Sequence, residues 1–112
     1  MGENFQMYKK FLLIELPREL DQYQADKIKR ECEILFLDQW VKNIVLDFKE
    51  TEMMDSSGVG MIIGRYKQVS ALGGKIYVIH MNKVIRKVVQ ISGLYKIIKE
   101  LEDLDAAKKC IS

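Results

Sequence analysis

Imidazole and thiol ligands are scarce in this chain: one histidine and two distant cysteines, Cys32 and Cys110, among 112 residues. That donor count argues against a structural zinc site, which takes three or four such ligands close together. A single proline, with no Pro-, Gly- or Ser-rich tract and no internal repeat, leaves no linker at which to divide the sequence. No apolar run approaches the roughly 18 residues that a membrane span requires. The amino terminus lacks the charged, apolar and small-residue succession of a secretion signal. A cytoplasmic protein with reduced thiols is therefore expected, with both cysteines on helices among apolar positions. Charge of one sign is also lacking. Eighteen basic residues face sixteen acidic ones, for a net +2, too little to make nucleic acid or an acidic membrane the main partner.

Two catalytic signatures are missing as well. No glycine-rich loop runs into Lys-Ser or Lys-Thr, so Gly58-Val59-Gly60 has no basic residue with which to cradle a nucleotide phosphate. No Gly-x-Ser-x-Gly elbow exists, and no oxyanion donor can be identified, so a hydrolase built on Ser56, His80 and an aspartate is set aside.

What is present is a 48% hydrophobic chain, enough for the core of one domain spanning 1–112 and too short for two of usual size. Asn4 to Tyr8 and Phe11 to Leu16 read as strands around a Lys9-Lys10 turn, residues 1–10 being either a short edge strand or a poorly ordered lead-in. Pro17 closes the second strand because it has no N–H to donate. From Gln24 to Asp38, Ala25, Ile28, Cys32, Leu35 and Phe36 form a helical stripe, with Trp40 and Val41 closing that layer. Ile44 to Phe48 is a β-branched and apolar run suited to a strand buried on both faces. Val59, Ile62, Ile63, Tyr66 and Val69 predict a helix from Ser57 to about Leu72, ended by Gly73-Gly74. Lys75 to Ile79 reads as a strand. Asn82 caps a third helix with Val84, Ile85, Val88, Val89 and Ile91 inward, ended by Ser92-Gly93. Tyr95 to Ile98 reads as a last strand, and Leu104, Ala107, Cys110 and Ile111 suggest a terminal helix. Strands alternating with single helices predict an α/β domain: a mixed, mostly parallel sheet of four to five strands packed with about four helices.

The junction between the central strand and the second helix carries the most chemistry. Met54-Asp55-Ser56-Ser57-Gly58-Val59-Gly60 sets two hydroxyls beside a carboxylate where a helix begins, so that unpaired backbone N–H groups and the positive end of the helix dipole face an anion. An ordinary helix cap is the plain reading. The sharper one is a phosphorylation switch, since a phosphate on Ser56 would add a charge of about −1.5 to −2.

These residues, with Gly64-Arg65-Tyr66-Lys67-Gln68, Gly73-Gly74 and Ile91-Ser92-Gly93-Leu94-Tyr95-Lys96-Ile97-Ile98, resemble the STAS domains of the anti-sigma factor antagonist type, in particular the sporulation branch that acts on the anti-sigma-F factor. The resemblance runs from about Phe11 to Ile98. It implies a partner-switching regulator without enzymatic activity. The unphosphorylated form would bind an anti-sigma factor serine kinase and release the sigma factor, and a serine phosphatase would restore binding. ATP and magnesium would belong to the kinase, so the chain itself needs no cofactor. It also implies Ser56 as phosphoacceptor, Asp55, Ser57 and Gly58 as its loop, and Asp21 as an acidic docking residue for a basic side chain of the kinase. The family reaches that acidic residue through a small residue or glycine; here Pro17-Arg18 intervenes, and Arg18 adds bulk and positive charge nearby.

Other residues admit two readings. Asp55 either caps the helix or also positions the Ser56 hydroxyl. Gly60 and Gly64 either let the helix pack closely or leave a flat landing area for a partner. Met54 and Met61 are either adaptable partner contacts or core filling. Lys83, Arg86, Lys87, Lys96 and Lys99 read as a solvated face before a basic patch. The expected state is a monomer or weak homodimer. The alternatives to the antagonist reading are a nucleotide-sensing module and a scaffold unit of a larger signalling assembly.

Overall fold

The computed structural model describes residues 4–38 and 41–111; Trp40 lies outside them. In chain order the elements are β1 (Phe5–Met7), β2 (Leu12–Glu15), β3 (Glu19–Leu20), α1 (Gln22–Asp38), β4 (Ile44–Asp47), β5 (Met53–Met54), α2 (Ser56–Ser70), β6 (Ile76–Ile79), α3 (Lys83–Ser92), a 3-10 turn (Leu94–Lys96), β7 (Ile98–Glu100) and α4 (Leu104–Cys110). Five strands form one sheet in the order β1-β2-β4-β6-β7. Only the β1–β2 pair is antiparallel; β2–β4, β4–β6 and β6–β7 are parallel. The mixed, mostly parallel sheet with four helices is the α/β architecture that the alternation of elements predicts.

Alternation along the strands divides the core in two. Leu12, Ile14, Ile44, Leu46, Ile76 and Val78 face a large layer that also holds Ile28 and Cys32 of α1, Met61, Ile62 and Val69 of α2, and Ile85 and Val89 of α3. Leu13, Val45, Tyr77 and Ile79 point the other way, where α4 supplies Ala107 and Ile111 follows it. Because β4 and β6 are covered on both faces, every residue of Ile44–Leu46 and Ile76–Ile79 is buried, which is why those strands read as unbroken apolar runs. Among the described residues no helix is long and apolar enough to cross a membrane.

The sequence reading is corrected at several points. Val84 and Ile91 of α3 are 58% and 78% exposed. A helix lying on one sheet face buries only a narrow stripe, here Ile85 and Val89, and both misassigned residues sit on its flank. Tyr95 belongs to the 3-10 turn, and the last strand begins at Ile98. Cys110 is exposed, while Cys32 is fully buried; both thiols are free. The glycine pair after α2 has two separate roles. Gly73 takes a left-handed φ of 78°, and a Cβ on Gly74 would lie 1.4 Å from the Lys42 carbonyl oxygen, so the chain passes there only without a side chain.

Candidate functional site

The two shortest strands build the site. β3 and β5 pair in parallel, with Glu19 opposite Met53 and Leu20 opposite Met54. The next residue in each segment is an aspartate, so Asp21 and Asp55 leave the ladder side by side; the Asp55 N–H donates to the Leu20 carbonyl at 3.3 Å. Each aspartate then opens a helix. The Asp21 carboxylate accepts from the Gln24 N–H at 3.0 Å, and the Asp55 carboxylate accepts from the N–H groups of Ser57 at 2.9 Å and Gly58 at 3.3 Å. These bonds satisfy backbone donors that have no partner inside the helix. The two caps thus form one surface, with the amino termini of α1 and α2 adjacent at the same edge.

Ser56 is the first residue of α2 and is exposed, beside exposed Asp55 and half-buried Ser57 and Asp21. Capping is the role the structure assigns to Asp55. Gly58 faces inward: a Cβ there would meet Met54 Cγ at 2.7 Å and Leu20 Cγ at 2.9 Å. It lets the first turn of α2 seat on the β3–β5 ladder, with its backbone turned away from solvent.

Three site expectations change. Met54 and Met61 are each 5% exposed and belong to the main core, so they fill space and do not present themselves to a partner; exposed Met53 is the methionine at this edge. Gly60 and Gly64 do not serve close packing, because a Cβ at either would meet nothing within 4 Å. The positive charge of Arg18 is paired within the chain. Its guanidinium binds the Glu52 carboxylate at 2.7 Å, which raises its pKa, and its carbonyl accepts from the N–H groups of Glu52 and Met53.

His80 does not join Ser56. Its Nδ1 lies 3.0 Å from the Asp47 carboxylate, and its φ of 61° marks a strained turn at the ends of β4 and β6. In the basic group, Arg86 is tied to Glu100 at 2.6 Å, while Lys83, Lys87, Lys96 and Lys99 are exposed.

The residue that pattern reading passed over is Arg65, 3% exposed in the middle of α2. Its Nε donates to Gln68 Oε1 at 2.7 Å. The signal was available: Arg65 follows Met61 by four residues and Ile62 by three, so it lies on the buried stripe.

The family described as the STAS domain matches residues 4–107. The chain is 35% identical over 86 residues to an anti-sigma F factor antagonist of Paenibacillus polymyxa, covering 77% of this chain and 74% of that protein. It is 30% identical over 83 residues to an anti-sigma-B factor antagonist of Listeria monocytogenes, covering 72% and 70%. Among solved structures it superposes on the anti-sigma factor antagonist SpoIIAA in its unphosphorylated form with a TM-score of 0.83, at 27% identity, over 95% of this chain and 93% of that one. The phosphorylated form of SpoIIAA gives a TM-score of 0.75 at the same identity.

Proposed function

Since this chain belongs to the STAS domain family, we propose that it acts as an anti-sigma factor antagonist switched by phosphorylation of Ser56. The observation that carries the reading is the placement of Ser56: exposed, at the start of α2, beside the capping carboxylates of Asp21 and Asp55. Relatives named as antagonists of anti-sigma F and anti-sigma-B factors, and the existence of SpoIIAA in phosphorylated and unphosphorylated forms, support it.

The unmodified surface presents Asp21, Ser56, Ser57 and Gly60, with Met53 at its edge, to an anti-sigma factor that is also a serine kinase. Binding frees the sigma factor. The kinase supplies nucleotide, magnesium and base, because the acceptor side of phosphoryl transfer needs little beyond a positioned hydroxyl. Asp55 contributes by fixing the turn that carries Ser56. Once attached, the phosphate adds about −1.5 to −2 charges to an edge that already carries two carboxylates. A docked interface hydrates that charge poorly, so the complex dissociates until a serine phosphatase removes it. The chain performs no chemistry of its own in this cycle.

Intact-mass analysis with site mapping, after incubation with MgATP and the anti-sigma factor kinase, tests the assignment. One phosphate on Ser56, absent from Ser56→Ala, is expected. Modification of Ser57 instead, or none while the kinase modifies another substrate, would overturn it.

A further inference from the structure

Between α1 and α2 lies an open groove of about 280 Å³ whose walls include Gln22, Asp26, Lys29, Ser57, Gly60, Gly64 and Arg65. Two features set it apart from an ordinary crevice between packed helices. The first is its floor. Gly60 and Gly64 stand one turn apart on α2, and a Cβ at either would enter empty space. Glycine is costly inside a helix relative to alanine, and nothing within the chain requires it at these two positions.

The second feature is independent of the first. Arg65 carries a full charge at 3% exposure. One bond from Nε to Gln68 fixes the guanidinium plane, yet Nη1 is buried without a hydrogen-bond partner among the described residues. None of the ion pairs found among those residues includes Arg65. Cys32, which lies close enough to feel its charge, is a neutral thiol. A guanidinium nitrogen buried without an acceptor is a costly arrangement, because its N–H groups have left water and gained no bond in exchange. An oxyanion supplies what is missing, since carboxylate and phosphate oxygens match the planar donor array of arginine.

We propose that the groove is a binding site for a small oxyanion, a carboxylate or phosphate group held by Arg65 with Lys29 contributing a second positive charge. The Ser57 hydroxyl and the Gln22 amide are further donors on the lining, and Asp26 is the one carboxylate there, leaving the wall with a net positive charge. The groove has ample room for a carboxylate or phosphate group and is open to solvent, so whatever carries the oxyanion can extend out of it. Ser57 and Gly60 of the proposed docking surface also line the groove, but the inference rests on Arg65 and does not require phosphorylation of Ser56.

The oxyanion can arrive free in solution or as an acidic side chain of a bound protein. Two probes separate these sources: inorganic phosphate, and glutamate with its amino and α-carboxyl groups blocked so that only the side-chain carboxylate remains. Each is titrated into the full chain at constant ionic strength, in a buffer without other oxyanions. Thermal unfolding and the Arg65 Nε–H nitrogen–proton correlation are followed. A saturable rise in melting temperature is expected, about 6 °C at a tenfold excess over the dissociation constant, together with a shift of the Arg65 resonance.

Arg65→Gln should abolish the rise in melting temperature. Because that variant alters a buried side chain, Gly64→Leu provides a second control: it places a side chain in the open groove and should fold normally while excluding the anion. Tighter binding of the glutamate derivative assigns the groove to a protein side chain, and tighter binding of phosphate assigns it to a phosphate group; both support the site. The same melting shift in Gly64→Leu as in the parent would show only general salting-out by phosphate, and would overturn the proposal. So would a parent protein that gives no saturable response to either probe.

Discussion

At Asp55, one carboxylate oxygen closes two backbone donors of α2. Removing it in Asp55→Ala should cost about 1 kcal/mol, measured by urea denaturation, and Asp55→Asn should recover most of that loss because the acceptor oxygen remains. Cys32 makes a prediction of a different kind. Burial pushes its thiol up from an ordinary value of 9.0 to about 12, against the opposing pull of the Arg65 charge. Between those values the unfolded chain gives up its proton while the folded chain keeps it. Stability therefore falls as the pH rises from about 9 towards 12, by at most about 1.4 kcal/mol per unit from this group. Cys32→Ala should flatten that part of the profile. At pH 8 a thiol reagent should label exposed Cys110 in the native protein and reach Cys32 only on unfolding.

At the scale of elements, α2 shows what sequence periodicity conveys and where it misleads. Its start, its length and its burial of Ile62 and Val69 follow from apolar spacing and the Asp-Ser-Ser-Gly cap. The centre of its buried face does not. The structure buries Gly58, Met61 and Arg65 and leaves Ile63 36% exposed, turning the helix away from the expected stripe and towards α1. A glycine and an arginine carry no hydrophobic signal of their own, so Arg65 could be placed only through its spacing from Met61 and Ile62. The same blindness hid β3 and β5, which have two residues each and no period to detect, although their ladder brings Asp21 to Asp55. The glycines of α2 check this account. Gly58→Ala should destabilise by about 1–3 kcal/mol through collision with Met54 and Leu20. Gly60→Ala and Gly64→Ala should each stabilise by about 0.5–1 kcal/mol, because they gain helix propensity at open positions. Equal destabilisation at all three in thermal or chemical unfolding would show that Gly60 and Gly64 are packed after all.

Across the whole molecule, the sheet and the β3–β5 ladder divide the work. The parallel strands β2, β4 and β6 form a core closed on both faces, which the runs of isoleucine, valine and leucine made legible. The ladder lies at its edge and presents two capped helix ends, while the α1–α2 groove opens alongside. The sequence suggested the Asp55 cap; the Asp21 cap, and the register of β3 against β5 that joins the two into one surface, come from the structure. With α2 seated through Gly58 and the Asp55 cap, a phosphate on Ser56, as proposed, would act by charge at that surface without rearranging the core. The measurement that tests this most directly is the affinity of the anti-sigma factor, by isothermal titration, for the unmodified chain and for the same chain phosphorylated on Ser56. The account predicts a loss of roughly a hundredfold or more, equivalent to about 3 kcal/mol. Equal affinity for the two forms would contradict it.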